Sequence, residues 1–253
     1  MEEEQLLPRR IQDLANQCYR RDVPTYTEFL NLAEQDLFYR TVNKMPGVRY
    51  VLFGGYEMAE RRAALFLPSY GEEGDPSMLP IAYLVIRPLN DKFAEELTHR
   101  DFLGSLMNLG IERGKLGDLL MDGKQAYLVC MEDMAQYLCR ELTRVRHTSV
   151  YCEQTAQLPD AVGTPVLQRK EGSVASVRLD ALLALAFSSS RSKLVPLIEG
   201  GQVYINGRQT LSASAVPKEG DIISVRHMGR FLYRGVKGET KKGRLYAAVD
   251  RYV

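Results

Sequence analysis

The sequence is poor in the residues that bind metals. It contains four cysteines and three histidines in 253 residues. No two cysteines form a Cys-x-x-Cys pair and the histidines are far apart, so the spacing of a structural zinc site is missing. A disulfide framework is equally unsupported, and we expect buried or idle thiols. The residues concerned are Cys18, Cys130, Cys139, Cys152, His99, His147 and His227.

The sequence also lacks a long apolar run and a secretion signal. No stretch reaches the roughly 20 apolar residues that a membrane-spanning helix needs. The first five residues, Met-Glu-Glu-Glu-Gln, are acidic, whereas a signal peptide begins with a basic and then an apolar region. We therefore expect a cytoplasmic protein without a membrane partner.

Motifs of catalytic and nucleotide-binding sites are missing as well. His99-Arg100-Asp101 has the letters of a kinase catalytic loop, but no glycine-rich phosphate loop and no Asp-Phe-Gly accompany it. Residues 110–115 differ from a nucleotide phosphate loop, because the glycine spacing is one residue short and Leu116 replaces the magnesium-binding hydroxyl residue. We predict a non-enzymatic protein with no cofactor, no metal and no small-molecule substrate.

Positive charge is present but concentrated at one end of the chain. The net formal charge of the whole chain is only +1, whereas residues 173–253 carry a net charge of +7 and the preceding 172 residues carry −6. A basic terminal third on an acidic body indicates that nucleic-acid binding is concentrated in that third.

The first 75 residues predict a small α/β domain. Apolar residues at helical spacing predict helices over 9–21 and 28–43, the second capped by Thr27. A strand is expected over 49–53, and a third helix over 56–65.

Residues 76–156 predict a second domain, followed by a linker over 157–172. The order of the predicted elements, β-α-β-β-α-β, is the split motif of ferredoxin-like and RRM-like domains. Tyr127 is the only aromatic residue of the central strand pair, so the base stacking of an RRM is not expected there. The predicted strands cover 81–86, 117–121, 125–130 and 148–153, and the predicted helices cover 98–109 and 132–143.

The stretch 177–206 carries the clearest pattern of the chain. Apolar residues repeat at helical spacing in two segments that a serine cluster separates. Gly200-Gly201 ends the second segment, and a short strand then reaches an Asn206-Gly207 turn. Pro196 lies inside the second helix, where it removes a backbone donor and should kink or shorten the helix.

Basic residues lie at the starts of these two helices, off their apolar faces. Helix N-termini present unpaired amides, so the two starts together predict a phosphate-binding cradle, with a serine before the second helix as its candidate cap. The predicted RNA-binding residues are Arg178, Ser190, Arg191, Lys193, Asn206, Arg208, Lys241 and Lys242. A further set of candidates, in the middle domain, is His99, Arg100, Arg113 and Lys115.

This stretch resembles a known RNA-binding domain. Arg-Leu-Asp over 178–180, Ser-Arg-Ser-Lys over 190–193 and Leu-Ile-x-x-Gly-x-Val-x-Ile-Asn-Gly over 197–207 are similar to the S4-type, or alpha-L, motif. The resemblance covers residues 173–253. It implies a C-terminal domain that grips structured RNA through backbone phosphates.

A second resemblance includes the middle of the chain. Thr-His-Arg-Asp-Phe-Leu-Gly over 98–104, Leu-Gly-Ile-Glu-Arg over 109–113 and Lys-Leu-Gly-Asp over 115–118, with an S4-type domain downstream, are similar to the YlmH family of bacterial S4-domain proteins. The resemblance implies an α+β protein of three small domains: an N-terminal unit, an RRM-like middle and an S4-type end. Family members are linked to ribosome quality control on stalled large subunits that carry peptidyl-tRNA and, by gene neighbourhood, to cell division.

We therefore predict a non-enzymatic protein that binds structured rRNA on the large ribosomal subunit, with contact to tRNA left open. Two alternatives stay open. One is an RNA-modifying enzyme whose catalytic domain is unrecognised, and the other is a protein-interaction adaptor linked to cell division.

Overall fold

The computed structural model describes residues 2–163, 166–240 and 243–252. Contacts divide the chain into two compact units, Met1–Thr164 and Pro165–Val253. The domain boundaries expected from the sequence, near 75, 156 and 173, stay predictions.

The N-terminal part of the first unit contains two helices and a small antiparallel sheet of order β1-β3-β2. One face of this sheet packs on the helices through a cluster that includes Ile11, Phe38 and Phe66. The elements are α1 (Glu2–Arg21), β1 (Thr25–Tyr26), α2 (Leu32–Val42), β2 (Tyr50–Phe53) and β3 (Ala63–Phe66).

Helix α2 begins later than the sequence pattern predicts. Asn31, not Thr27, is the cap: its side chain accepts from the amides of Ala33 and Glu34, and Glu34 bonds back to the Asn31 amide. This is a capping box. The Thr27 hydroxyl instead accepts from the Ala64 amide, at 2.9 Å, and thereby joins the chain to β3.

The helix expected over 56–65 was wrong, because its apolar end is strand β3. All four residues of β3 are buried. Ala64 and Phe66 face the helices, while Ala63 and Leu65 face the other way. A strand buried on both faces shows no alternation of apolar and polar residues, so periodicity cannot distinguish it from a buried helix.

The middle of the first unit is an antiparallel sheet of order β5-β6-β4-β8-β7. The strands and helices predicted over 81–153 are confirmed, with a short additional strand, β7, at one edge. Thr98 and Asp101 form the capping box of α3. The elements are β4 (Ile81–Pro88), α3 (His99–Asn108), β5 (Leu116–Asp122), β6 (Gln125–Met131), α4 (Glu132–Glu141), β7 (Arg144–Val145), β8 (Thr148–Thr155) and α5 (Asp160–Gly163).

Both faces of this middle sheet are covered over much of their area. On one face, Leu84 and Leu128 pack against Phe102 of α3 and Leu138 of α4. On the other face, a second cluster joins apolar side chains of β4 and β6 to the small N-terminal sheet. That cluster includes Val85, Tyr127, Val129, Ala63 and Leu65. The N-terminal segment thus occupies the face on which an RRM stacks bases.

The second unit is a sheet of order β11-β10-β12-β13-β14-β9 with two helices packed on one face. Residues 167–172 of the expected linker belong to β9, which continues to Val174 and pairs with β14 along its whole length. The elements are β9 (Leu167–Val174), α6 (Leu179–Phe187), α7 (Arg191–Glu199), β10 (Val203–Ile205), β11 (Arg208–Gln209), β12 (Ile222–Val225), β13 (Gly229–Glu239) and β14 (Leu245–Tyr252).

Candidate RNA-binding surface

Helices α6 and α7 form the predicted site because their apolar faces fix them to the sheet. Leu179, Leu182 and Leu183 of α6 are fully buried, and Leu194 and Ile198 anchor α7. The charged residues at the helix starts are left off this core. Burial of these five side chains therefore determines how the cations are presented.

Arg178 precedes α6 and forms an ion pair with Asp180. Its Nε and Nη2 atoms donate to the two carboxylate oxygens of Asp180 at 3.1 and 3.3 Å. The Asp180 side chain is 8% exposed, whereas that of Arg178 is 43% exposed. One edge of the guanidinium thus neutralises a buried carboxylate, while the remainder reaches solvent.

The first amides of α6 are not available to a phosphate. The amide of Leu179 donates to the carbonyl of Ala215 at 2.8 Å, and the amide of Asp180 donates to that of Ala213 at 3.1 Å. The expectation of exposed amides was therefore wrong for α6, because the loop after β11 folds over the helix start. No local pattern in the sequence signals this contact, since the loop lies over 30 residues further along the chain.

The start of α7 has the opposite character. Ser190 occupies the cap position, but its hydroxyl lies 3.0 Å from that of Ser192 and bonds no helix amide. Arg191 and Lys193 are exposed. Within the described chain, the amides of Arg191 and Ser192 have no hydrogen-bond acceptor, and the side chains of Arg191 and Lys193 have no ion-pair partner. Unpaired amides and two cations give this helix end a positive electrostatic potential.

The far end of α7 is fixed by a Schellman motif. The amide of Gly201 donates to Ile198 and that of Gln202 donates to Leu197, at 3.0 and 2.9 Å. Gly201 takes the left-handed conformation that this motif requires, with φ +68°. Pro196 does not shorten the helix, which continues to Glu199 as expected from the glycine pair.

The predicted cations of the two helix starts lie at opposite ends of α6 in the chain. Arg178 precedes α6, whereas Arg191 follows the end of α6, so the nine residues of that helix and the three serines after it separate them. At 1.5 Å per residue the separation along the helix axis is about 13 Å. Arg191 and Lys193 both lie in the first turn of α7.

The remaining predicted residues of this unit have different surroundings. Asn206 is exposed with φ +50°, and its side chain bonds Asp221 and the amide of Ile222, so it holds the turn. Arg208 is exposed on β11. Lys241 and Lys242 lie outside the described residues.

The candidates in the first unit do not share one function. Arg113 donates to the carbonyls of Leu116 and Gly117. Burial, assisted by the charge of Arg61, lowers the pKa of Arg113 to about 10. Lys115 forms ion pairs with Asp133 and Glu28 at 2.7 and 3.6 Å. These contacts support a structural role for both cations.

His99 and Arg100 begin α3. Partial burial, followed by the charge of Arg113, lowers the pKa of His99, so its ring is neutral at pH 7. Arg100 lines an open groove of about 570 Å³ together with Arg144 and Arg146, two residues that were not among the sequence candidates. The sequence signal that could have identified Arg144 and Arg146 is the close spacing of basic residues after α4. Arg146 lies 3.7 Å from Asp101 across this groove.

Neither a metal centre nor a membrane span is found in the part of the chain that the structure describes. No group of three histidine, cysteine, aspartate or glutamate side chains among those residues could hold a metal ion. No helix among them has the length and apolar character to cross a membrane.

Known proteins resemble this chain in sequence and in fold. The family model described as "Putative RNA-binding domain in YlmH" matches residues 81–158, and the S4 domain model matches residues 177–223. The ribosome-associated protein quality control protein P2 of Bacillus subtilis (strain 168) is 29% identical over 230 residues, which cover 89% of this chain and 86% of that protein.

A solved structure, the cell division protein ylmH from Streptococcus pneumoniae, matches with a TM-score of 0.50 at 24% identity. The match covers 63% of this chain and 93% of that chain, and at this identity it concerns the fold alone. The two domain models fall in the two units, in the order that the family resemblance implied. The chain thus carries a domain that matches the RNA-binding domain model of YlmH, followed by an S4 domain.

Proposed function

We propose that this protein is a non-enzymatic factor that binds structured rRNA on the large ribosomal subunit and acts in the quality control of stalled translation. The observation that carries the proposal is the start of α7, where two unpaired amides lie beside the exposed cations Arg191 and Lys193. Such a helix end binds phosphate through its amides and through charge. Contact with tRNA on the same particle is part of the proposal.

Recognition would depend on RNA shape rather than on base sequence. Side chains cannot reach the bases in the deep major groove of an RNA helix, so a protein reads its phosphates and 2′-hydroxyls. The middle domain, which we regard as RRM-like from its strand order, would not add base stacking. Its sheet face is occupied by the N-terminal segment, and Tyr127 there is only 6% exposed.

Arg178 would contribute less directly than Arg191. Its guanidinium already forms an ion pair with Asp180, so only its outer edge is free to reach a phosphate. The groove lined by Arg100, Arg144 and Arg146 would supply a further electrostatic contact in the first unit. The described residues provide no specific observation that favours an RNA-modifying enzyme or a division adaptor.

The test is ribosome binding by the double variant Arg191→Ala/Lys193→Ala. We expect weaker co-sedimentation with large subunits, and a slope of log affinity against log salt reduced by about 2, because each cation removed leaves one phosphate without its counter-charge. The matched control is Arg20→Ala/Lys44→Ala, which removes the same charge from exposed positions of the first unit. Equal binding by the two folded variants would contradict the proposal.

A further inference from the structure

The sheet of the second unit has a face that the helices do not cover. Ala247 and Val249 of β14 belong to the core under α6 and α7. Successive residues of a strand point to opposite faces, so Tyr246, Ala248, Asp250 and Tyr252 point away from the helices. Their partners on β9 and β13 share this outward face, which includes Arg169, Glu171, Ser173, Arg230, Leu232 and Arg234.

One end of this outward face carries an arginine stacked on a tyrosine. The guanidinium carbon of Arg230 lies 4.7 Å from the centre of the Tyr252 ring. This cation–π contact fixes the guanidinium beside the ring. Arg230 is partly exposed, so a nucleobase can stack on its planar guanidinium.

The centre of the outward face holds two arginines on one carboxylate. Asp250, 3% exposed, accepts from Arg169 at 2.8 and 3.1 Å and from Nε of Arg234 at 2.6 Å. The arginine side chains are 51% and 40% exposed. Within the described chain, both terminal nitrogens of Arg234 and one of Arg169 have no acceptor. One buried charge thus orients two guanidinium groups and leaves donors directed outward.

The other end of this face has an exposed tyrosine with open space beside it. Tyr246 is 40% exposed, and its neighbours on the two flanking strands are Gly238 and Ser173. A Cβ built on Gly238 would meet nothing within 4 Å. The guanidinium of Arg244 bonds the Ser173 carbonyl at 2.9 Å, so a cation lies near this ring. The ring therefore has room for a planar partner.

We propose that this outward face is a second RNA-binding surface, separate from the start of α7, and that it takes an unpaired RNA segment. Bases stack on Tyr246 and on Arg230, and phosphates contact Arg169 and Arg234. From residue 246 to residue 252 the strand spans about 20 Å, which accommodates several nucleotides. The inference rests on the proposed function in taking RNA as the ligand, but it concerns a different surface.

Charge and shape favour RNA over an acidic peptide as the occupant. The charged groups on this surface are Arg169, Arg230 and Arg234, with Arg244 near the Tyr246 ring, against Asp250 and Glu171, which gives a net positive charge. An acidic peptide without aromatic residues would use the guanidinium groups but would leave the space beside Tyr246 unfilled. Unpaired RNA satisfies both features, because every base has a face that stacks.

The experiment measures binding of the full chain to a fluorescein-labelled 12-nucleotide oligouridine by fluorescence anisotropy. Tyr246→Ala should weaken binding about fivefold or more, whereas Tyr246→Phe should retain it because stacking needs only the ring. Arg230→Ala should weaken it similarly. Glu171→Gln is the matched control with the opposite expected effect. It removes a negative charge from the same face and should strengthen binding.

Two results would overturn the inference. One is equal affinity of Tyr246→Ala, Tyr246→Phe and the unaltered chain for oligouridine. The other is binding of a labelled oligoglutamate peptide as tightly as oligouridine. The variant Arg191→Ala/Lys193→Ala separates this inference from the proposed function. If this variant loses ribosome binding while Tyr246→Ala binds oligouridine normally, the second surface is refuted and the proposed function stands.

Discussion

Arg178 and Arg191 carry the same charge but have different surroundings. Arg178 pairs with a carboxylate that is almost fully buried, whereas Arg191 is exposed at a helix start. Removing one partner of a buried pair leaves an uncompensated charge in a low-dielectric environment. Removing an exposed, unpaired cation disturbs little of the fold. The two residues therefore need different experiments.

We predict that Arg178→Ala destabilises the second unit by about 1–3 kcal/mol, because the Asp180 carboxylate stays buried without its donor. Arg191→Ala should change stability by about 0.5 kcal/mol or less. Hydrogen exchange of the α6 amides, followed by mass spectrometry, measures the local effect. Equal protection of α6 in the two variants would show that the Asp180 pair has no structural role. The double variant Arg178→Ala/Asp180→Asn should recover part of the loss.

At the scale of elements, helix α7 has a well-formed C-terminal capping motif but a proline in its interior. The Schellman motif at Gly201 fixes its end, and Leu194 and Ile198 hold it to the sheet. Pro196 in between cannot donate to the carbonyl of Ser192. Tertiary packing and the C-terminal motif offset this missing hydrogen bond, which explains why the helix persists to Glu199.

We predict that Pro196→Ala stabilises α7, because alanine restores the missing donor and has the higher helix propensity. The gain should be about 1–2 kcal/mol, less than the roughly 3 kcal/mol propensity difference, since proline also restricts the unfolded chain. Slower hydrogen exchange in α7 would measure it. RNA affinity should stay unchanged, because the substitution is a turn away from Arg191. Faster exchange would mean that the proline fits this backbone better than alanine does.

A second element-scale prediction concerns pH and strand β14. The pKa of Asp250 lies below its ordinary value, chiefly because Arg169 donates to it and secondly because Arg234 does. An unfolded aspartate titrates near 3.9. Because the folded value is the lower one, Asp250 stabilises the fold above about pH 4, and this contribution is lost as the pH falls through the folded value.

The variant Asp250→Asn should therefore unfold at a lower temperature than the unaltered protein at pH 7, with the difference shrinking below about pH 4. Thermal unfolding of the full chain, followed by β-sheet circular dichroism from pH 7 to pH 2.5, provides the measurement. Glu239→Gln, which removes an exposed carboxylate from β13, is the control. A constant difference across the whole pH range would contradict this assignment of the acid dependence to Asp250.

At the scale of the whole molecule, contacts group the N-terminal segment with the middle sheet and leave the S4-bearing unit separate. Apolar side chains of β4 and β6, among them Val85 and Val129, are buried against the small N-terminal sheet. Without that sheet they would form an exposed apolar patch, and such patches promote aggregation. The middle domain is therefore not expected to be independent of the first 75 residues.

We predict that fragments 1–164 and 165–253 each fold when expressed separately, whereas a fragment 76–164 aggregates or binds a hydrophobic dye. Size-exclusion chromatography and cooperative thermal unfolding distinguish these outcomes. Fragment 165–253 should keep the affinity for RNA that depends on Arg191 and Lys193. A monomeric, cooperatively folding fragment 76–164 would show that the shared core is dispensable.

The sequence by itself determined the local features of this protein. Helical periodicity and the glycine pair located α6 and α7, because one apolar face and one left-handed stop are properties of consecutive residues. The capping box of α3 was readable for the same reason. The basic end of the chain and the S4-type spacing indicated RNA as the class of partner, since charge is a property of composition.

Only the tertiary structure decided which of these features are available to a ligand. Strand β3 lies between two layers and is buried on both faces, so its sequence lacks the alternation of apolar and polar residues that marks a half-buried strand. The tertiary structure placed the loop with Ala213 and Ala215 over the start of α6, and it placed Arg169 and Arg234 on one carboxylate. These contacts join residues far apart in sequence, so no local pattern encodes them.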